Sequence, residues 1–277
     1  MATTQLPGRA APAVGGGHSG RAGFGGALRS EFTKIRSVRS TYWTLLAMTV
    51  ITIGIGALAC VGAASQPGDV RGPGFDATQR SLVGLILGQL IIVVLGALTV
   101  TSEYSTGMIR TSLTVQPRRG TVLAAKGVVF TAVALVTGLI AAFLSFFIGQ
   151  AILSSKHLNA GLGDPGVLRA VIGGGLFLAV CGMLAFGLGT LLRHTAAAIS
   201  ACIGLLFVLF VLVNFLPSSW QDHVDKWVPF NAGSQLWSTV PQPDSHLFAP
   251  WTGFAVFTAY AVIAIIAGSV MFLKRDA

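Results

Sequence analysis

Charge is what this sequence lacks. Only 10% of its 277 residues are Asp, Glu, Lys or Arg, where a soluble domain carries about a quarter. That shortage excludes an ordinary soluble globular domain. With 53% hydrophobic residues and a mean hydropathy of +0.76, it points to an integral membrane protein. Acids are scarcer than bases, nine against eighteen, for a net charge of +9. A basic balance can mark nucleic-acid binding, but here the cations sit beside apolar runs, which gives them a topological role and no nucleic-acid partner. The three cysteines, Cys60, Cys181 and Cys202, fall inside apolar runs with no CxxC and no His at ligand spacing; they read as small buried hydrophobes, and no metal site is assigned. No G-x-x-x-x-G-K-[ST] occurs, so the chain has no loop to cradle ATP phosphates. HExxH and G-x-S-x-G are also missing, and no catalytic residue is assigned. No ionisable pair lies deep in an apolar run, which argues against proton coupling.

What is present is a set of six stretches free of Asp, Glu, Lys and Arg: 40–68, 81–102, 127–155, 170–192, 195–221 and 245–273. Lipid admits only structures whose backbone hydrogen bonds close internally, and a helix needs about 20 apolar residues to cross. The predicted fold is therefore all-α and polytopic, with six transmembrane helices near 42–63, 82–101, 126–152, 169–192, 196–216 and 251–273. Segments 1–40, 102–126, 193–195 and 274–277 hold thirteen Lys and Arg, against five in 64–80, 153–169 and 217–250. The positive-inside rule then puts both termini in the cytoplasm of a multi-pass plasma-membrane protein.

Residues 1–23 are rich in Ala, Gly and Pro, show no periodicity, and read as a disordered cytoplasmic tail. From there Phe24, Leu28, Phe32, Ile35, Val38 and Tyr42 recur at helical spacing, with Arg29, Lys34, Arg36 and Arg39 on the other faces. This predicts a basic amphipathic elbow helix over 24–40, lying in the headgroup plane of the lipid bilayer; a soluble helix packed on a partner is the competing reading. The six-helix domain follows over 41–277.

Between the second and third apolar runs lies TSEYSTGMIRTSLTVQPRRG, 101–120. Tyr104, Met108 and Thr111 share one helical face, Ile109 and Leu113 another, and Pro117 ends the pattern. The residues alone allow either a short cytoplasmic helix that needs a surface to dock on or a solvated loop rich in positive charge.

The pair RSEFTKIRSVRSTYWTL, 29–45, and SEYSTGMIRTSLTVQPRRGTVLAAK, 102–126, resembles the permease subunits of ABC-2 type ATP-binding-cassette transporters, of the kind common in actinobacteria. The second stretch is the more specific, with E-Y, a Gly, an I-R pair, P-R-R-G and a following Lys in order. The resemblance runs from about residue 24 to 277. It implies that 102–120 is a coupling helix docking on a separate ABC ATPase subunit, with Glu103, Tyr104, Met108, Ile109 and Arg110 as contact candidates and Glu103 as the polar anchor. It also implies that ATP and Mg are bound by that partner, that no cofactor resides in this chain, and that two permeases, as a homodimer or a heterodimer with a related permease, form the path. Export is the expected direction. A non-transporting sensor or scaffold with the same fold is the alternative.

The loop 217–250 carries Trp220, Trp227 and Trp237. Tryptophans favour the membrane–water boundary, so short helices on the outer surface are expected. The resemblance implies an outer gate there, while an interfacial anchor explains the same residues. Within the spans, Gln89 and Asn214 could line a path or hydrogen-bond between helices. Gly84 and Gly88, and the glycines of the fourth span, read as close-packing surfaces.

Overall fold

The computed structural model describes residues 23–65, 74–105, 119–240 and 246–274. Every regular element among them is helical. The elbow, α1 (Phe24–Ser37), is separated from α2 (Arg39–Ser65) by one extended residue, Val38. Then come α3 (Ala77–Leu82), α4 (Leu85–Ser105), α5 (Arg119–Ser154) and α6 (Val167–Leu192). The chain continues through α7 (Thr195–Ile203), a π-helical turn (Gly204–Val208), α8 (Leu209–Val213), α9 (Ser218–Val224), α10 (Pro229–Ser234) and α11 (Pro250–Lys274). Six helical stretches are long and apolar enough to cross a membrane, so the chain is an all-α polytopic membrane protein.

The second crossing is not one helix. It breaks at Val83 and Gly84, where α2 passes so close that a Cβ on Gly84 would lie 1.9 Å from the Thr52 carbonyl oxygen, and one on Gly56 2.2 Å from that of Ser81. Only glycine permits this approach. The break frees the Ser81 carbonyl, and α5 supplies its donor and further bonds to the α3 turn beside it. Ser145 Oγ donates to the Ser81 carbonyl at 2.6 Å, and Gln150 Nε2 donates to Ser81 Oγ at 2.8 Å and to the Ala77 carbonyl at 3.1 Å. Side chains from a neighbouring helix thus satisfy a kink that lipid could not.

At 36 residues, α5 is about 54 Å long, well beyond the ~30 Å hydrocarbon layer. It starts at Arg119, not near 126 as the apolar pattern suggests, because a helix can run on past the lipid wherever its neighbours support it.

The middle of the bundle is α6. Eighteen of its 26 residues are buried, and its glycines let neighbouring helices close on it. A Cβ on Gly175 would strike Leu139 of α5, and one on Gly187 would strike Ala264 and Ile265 of α11. At its end Arg193 adopts a left-handed conformation (φ 55°), its N–H bonding the Gly189 carbonyl. His194, extended, then caps α7, so two residues reverse the chain between the fourth and fifth crossings. The crossings at the rim, α2, α7–α8 and α11, keep apolar side chains such as Leu58, Leu212 and Ile263 exposed, as surfaces facing lipid do.

Beyond the fifth crossing, α9 buries none of its residues, whereas α10 buries five of six. The expected outer-surface helices are thus one surface helix and one that turns back into the bundle. There Phe230 packs on Phe177 and Phe210, with ring centroids 6.2 and 5.0 Å apart.

Candidate functional site

The end of the bundle that holds α1, the close of α4 and the start of α5 contains an ion network. α1 presents Ala27, Glu31 and Lys34 toward its neighbours. These residues recur at four and three positions and so share a face. Ala27 is small enough to let the helix approach, and Glu31 is buried at 4% exposure. The face turned to α5 is therefore not the apolar stripe read from the sequence; Phe24 and Phe32 of that stripe stay about half exposed.

Lys126 of α5, itself buried, donates to Glu31 Oε2 at 2.9 Å and to Glu103 Oε1 at 2.7 Å. Lys34 donates to Glu31 Oε1 at 2.8 Å and to Glu103 Oε1 at 3.3 Å. Two carboxylates and two ammonium groups alternate, and the cluster is formally neutral. Burial on its own would raise the Glu31 carboxyl, but the Lys126 and Lys34 charges outweigh it and hold Glu31 below its ordinary range. Burial would likewise lower the Lys34 ammonium, and Glu31 and Glu103 reverse this, so it sits above the ordinary lysine value.

A second joint lies one residue along α4. The Arg193 guanidinium sits over the Tyr104 ring, 5.1 Å from its centroid, and Arg193 Nη2 donates to the Met271 carbonyl of α11 at 3.1 Å. Thr195 Oγ1 donates to Thr101 Oγ1 at 2.8 Å. The last turn of α4 is thus tied to α1, α5 and α7, and through Arg193 to α11, just before the chain enters the link to α5. Of the predicted contact residues, Glu103 and Tyr104 lie in this turn. Met108, Ile109 and Arg110 lie outside the described residues. The Glu103 carboxylate is turned inward to two lysines, with its side chain 12% exposed. Lys126 is the Lys that closes the motif in 102–126, with no ion-pair role read from it, and Glu31 is not singled out in the sequence. The available signal was that Glu31 is the only acid before residue 69, set among four cations.

At the opposite end, a latch holds the returning segment. Asp76 caps α3 through Gln79 N–H at 2.8 Å, and its Oδ2 accepts from Thr239 N–H at 2.6 Å and Val240 N–H at 3.0 Å. Arg169 donates to the carbonyls of Gln235, Leu236 and Ser238 at 3.3, 3.2 and 2.9 Å. The acid takes the backbone donors of this stretch and the base takes its acceptors. The three tryptophans part company here: Trp237 is buried against Phe177, while Trp220 and Trp227 are exposed. Gln89 is fully buried, its Oε1 facing Cys181 Sγ at 3.7 Å. Asn214 is exposed and donates to the Phe210 carbonyl at 2.7 Å. Within one chain these two amides share no surface. Among the described residues no three His, Cys, Asp or Glu side chains gather in a group able to hold a metal ion.

No curated protein matches this sequence. The profile of the family described as ABC-2 family transporter protein matches residues 26–277, which takes in nearly all of the elbow, every crossing and the turn-back segment. The chain belongs to the ABC-2 family of transporter proteins and is a membrane-embedded permease subunit of an ABC transporter.

Proposed function

We propose that this permease exports its substrate, driven by ATP hydrolysis in a separate ATPase subunit that binds ATP and Mg and docks beneath the plasma membrane on segment 102–120. Both termini are cytoplasmic in this reading. Two permeases, identical or related, enclose the path, and exposed Asn214 lines it where crossings from two copies face one another, while Gln89, buried within its own chain, holds helices together. Trp237, with α10, closes the outer end, and Trp220 and Trp227 rest at the lipid boundary.

The observation that carries the reading is the bracing of the last turn of α4. Glu103 is bound to α1 and α5, Tyr104 lies under Arg193, and Thr101 is bound to α7, so a displacement of the link reaches the crossings as one body rather than being lost in a loose loop. On this account Glu103, facing inward, anchors the base of the lever. Tyr104, Met108, Ile109 and Arg110 supply the surface toward the ATPase, and α1 packs beside it.

Co-purification with the co-expressed ATPase tests this. The ATPase is expected to accompany the wild-type chain and to be lost with Met108→Asp, while Lys156→Gln at the opposite end retains it. Absence of an ATPase from the intact complex, or its full retention by Met108→Asp, overturns the docking assignment and leaves a sensor or scaffold role.

A further inference from the structure

One flank of α1 is walled for a molecule that none of the described residues supplies. Because α1 turns Ala27 and Glu31 into α5, its apolar stripe lines two clefts of about 560 Å³ each. One lies between α1, α2 and α5, with Ile35, Leu46 and Ile140 in its walls; the other runs along α1 and α5, with Leu28, Val129 and Val136. Phe32, Val133 and Thr137 line both, so the two clefts form one trough divided by Phe32. Each volume falls within the ~300–1,000 Å³ of small-molecule sites.

Each cleft also holds one cation at its edge, Arg36 in the first and Arg29 in the second. Seven residues apart, these arginines lie on the same side of α1 and about 10 Å from one another along its axis. Both are exposed, and neither is in an ion pair among the described residues, whereas Lys34 between them is engaged by Glu31 and Glu103.

A hydrocarbon trough edged by unpaired guanidinium groups fits an amphiphile with long tails and an anionic oxygen head, since the guanidinium fork matches phosphate oxygens in pairs. A neutral amphiphile leaves both arginines without a counter-charge. A second copy of the chain would have to bring an acid, yet Glu31 and Glu103, the described acids at this end, are already paired. We propose that the trough binds one anionic phospholipid, its acyl chains on either side of Phe32 and its phosphate between Arg29 and Arg36. The lipid would pin α1 from the flank opposite its arginine-free, buried face. The proposal rests on the elbow lying at the membrane surface and is independent of the ATPase partner.

The full chain, purified and stripped of lipid in detergent, would be titrated with phosphatidylglycerol or phosphatidylcholine, and retained lipid counted by native mass spectrometry. The expected result is saturable retention of one phosphatidylglycerol per chain in preference to phosphatidylcholine. Arg29→Gln and Arg36→Gln should each weaken retention on the order of fivefold, and Lys156→Gln, at the far end, should leave it unchanged. Ala132→Phe, which fills the second cleft with both arginines intact, should also lower retention, so the proposal stays open to refutation if an arginine variant fails to fold. Equal retention of the two lipids, or unaltered phosphatidylglycerol retention in the double arginine variant and in Ala132→Phe, overturns it. No ATPase or nucleotide is present, so the outcome is separate from that of the docking test.

Discussion

Lys126 and Glu31 are 95 residues apart in the chain and 2.9 Å apart in the fold, each less than a tenth exposed. The pair links the elbow helix directly to the third crossing, and Glu103 shares the same lysine at 2.7 Å. Buried ions are tolerated when every charge is answered, and strongly disfavoured when one partner is lost.

Lys126→Met should therefore destabilise the protein by about 3–5 kcal/mol, because two buried carboxylates are left with Lys34 alone. Glu31→Gln with Lys126→Met removes one charge of each sign and leaves Lys34 facing Glu103. The double variant should lose less than the two single losses combined. Thermal unfolding in lipid nanodiscs measures this; strictly additive losses would count against a coupled network.

Acid should loosen the elbow. Glu31 is held below its ordinary range, so its contribution is complete above that range and fades as pH falls through the lowered value. Lys34 is raised, so its contribution is complete below the ordinary lysine value and fades as pH climbs through the raised one. The result is a plateau from roughly pH 5 to pH 10. Hydrogen exchange over α1 should show constant protection across that plateau and loss on its acid side. In Glu31→Gln the acid-side change should be smaller; an unchanged acid limb would show that another group controls it.

At the opposite end, Asp76→Ala removes the acceptor of two backbone N–H groups from Thr239 and Val240. A cost of about 1–3 kcal/mol is expected, expressed locally. Exchange should rise over 229–240, with α6 keeping its protection. A uniform rise across the bundle would mean that Asp76 supports the whole fold and not the returning segment.

Two glycine substitutions separate crowding from composition. Gly84→Ala places a methyl 1.9 Å from the Thr52 carbonyl oxygen and should abolish monodisperse folded protein. Gly62→Ala, on the same α2 that crowds Gly84, meets nothing within 4 Å and should be neutral or stabilising by up to ~1 kcal/mol. Size-exclusion profiles of the two variants decide the matter.

Much of the architecture was legible because lipid imposes a plain rule on sequence: long stretches without charge must cross, and six such stretches gave six crossings. The break at Val83–Gly84 was not legible. Neither proline nor charge marks it, and the donors that make it tolerable, Ser145 and Gln150, come from another helix. The early start of α5 was missed because the end of the apolar pattern is a lipid boundary and not a helix boundary. In the site, the motif around Glu103 marks the last turn of α4, but nothing local says that its carboxylate meets Lys126 and Lys34. Likewise Trp220, Trp227 and Trp237 look alike in sequence and differ in burial, because only the last follows α10 into the bundle.

The most direct test of the account is photo-crosslinking from a benzoylphenylalanine placed at Met108 in membranes containing the co-expressed ATPase. The account expects a covalent adduct of the two chains that weakens when Lys126→Met loosens the base of the lever. Adducts confined to lipid or to a second permease copy, with none containing the ATPase, would contradict it.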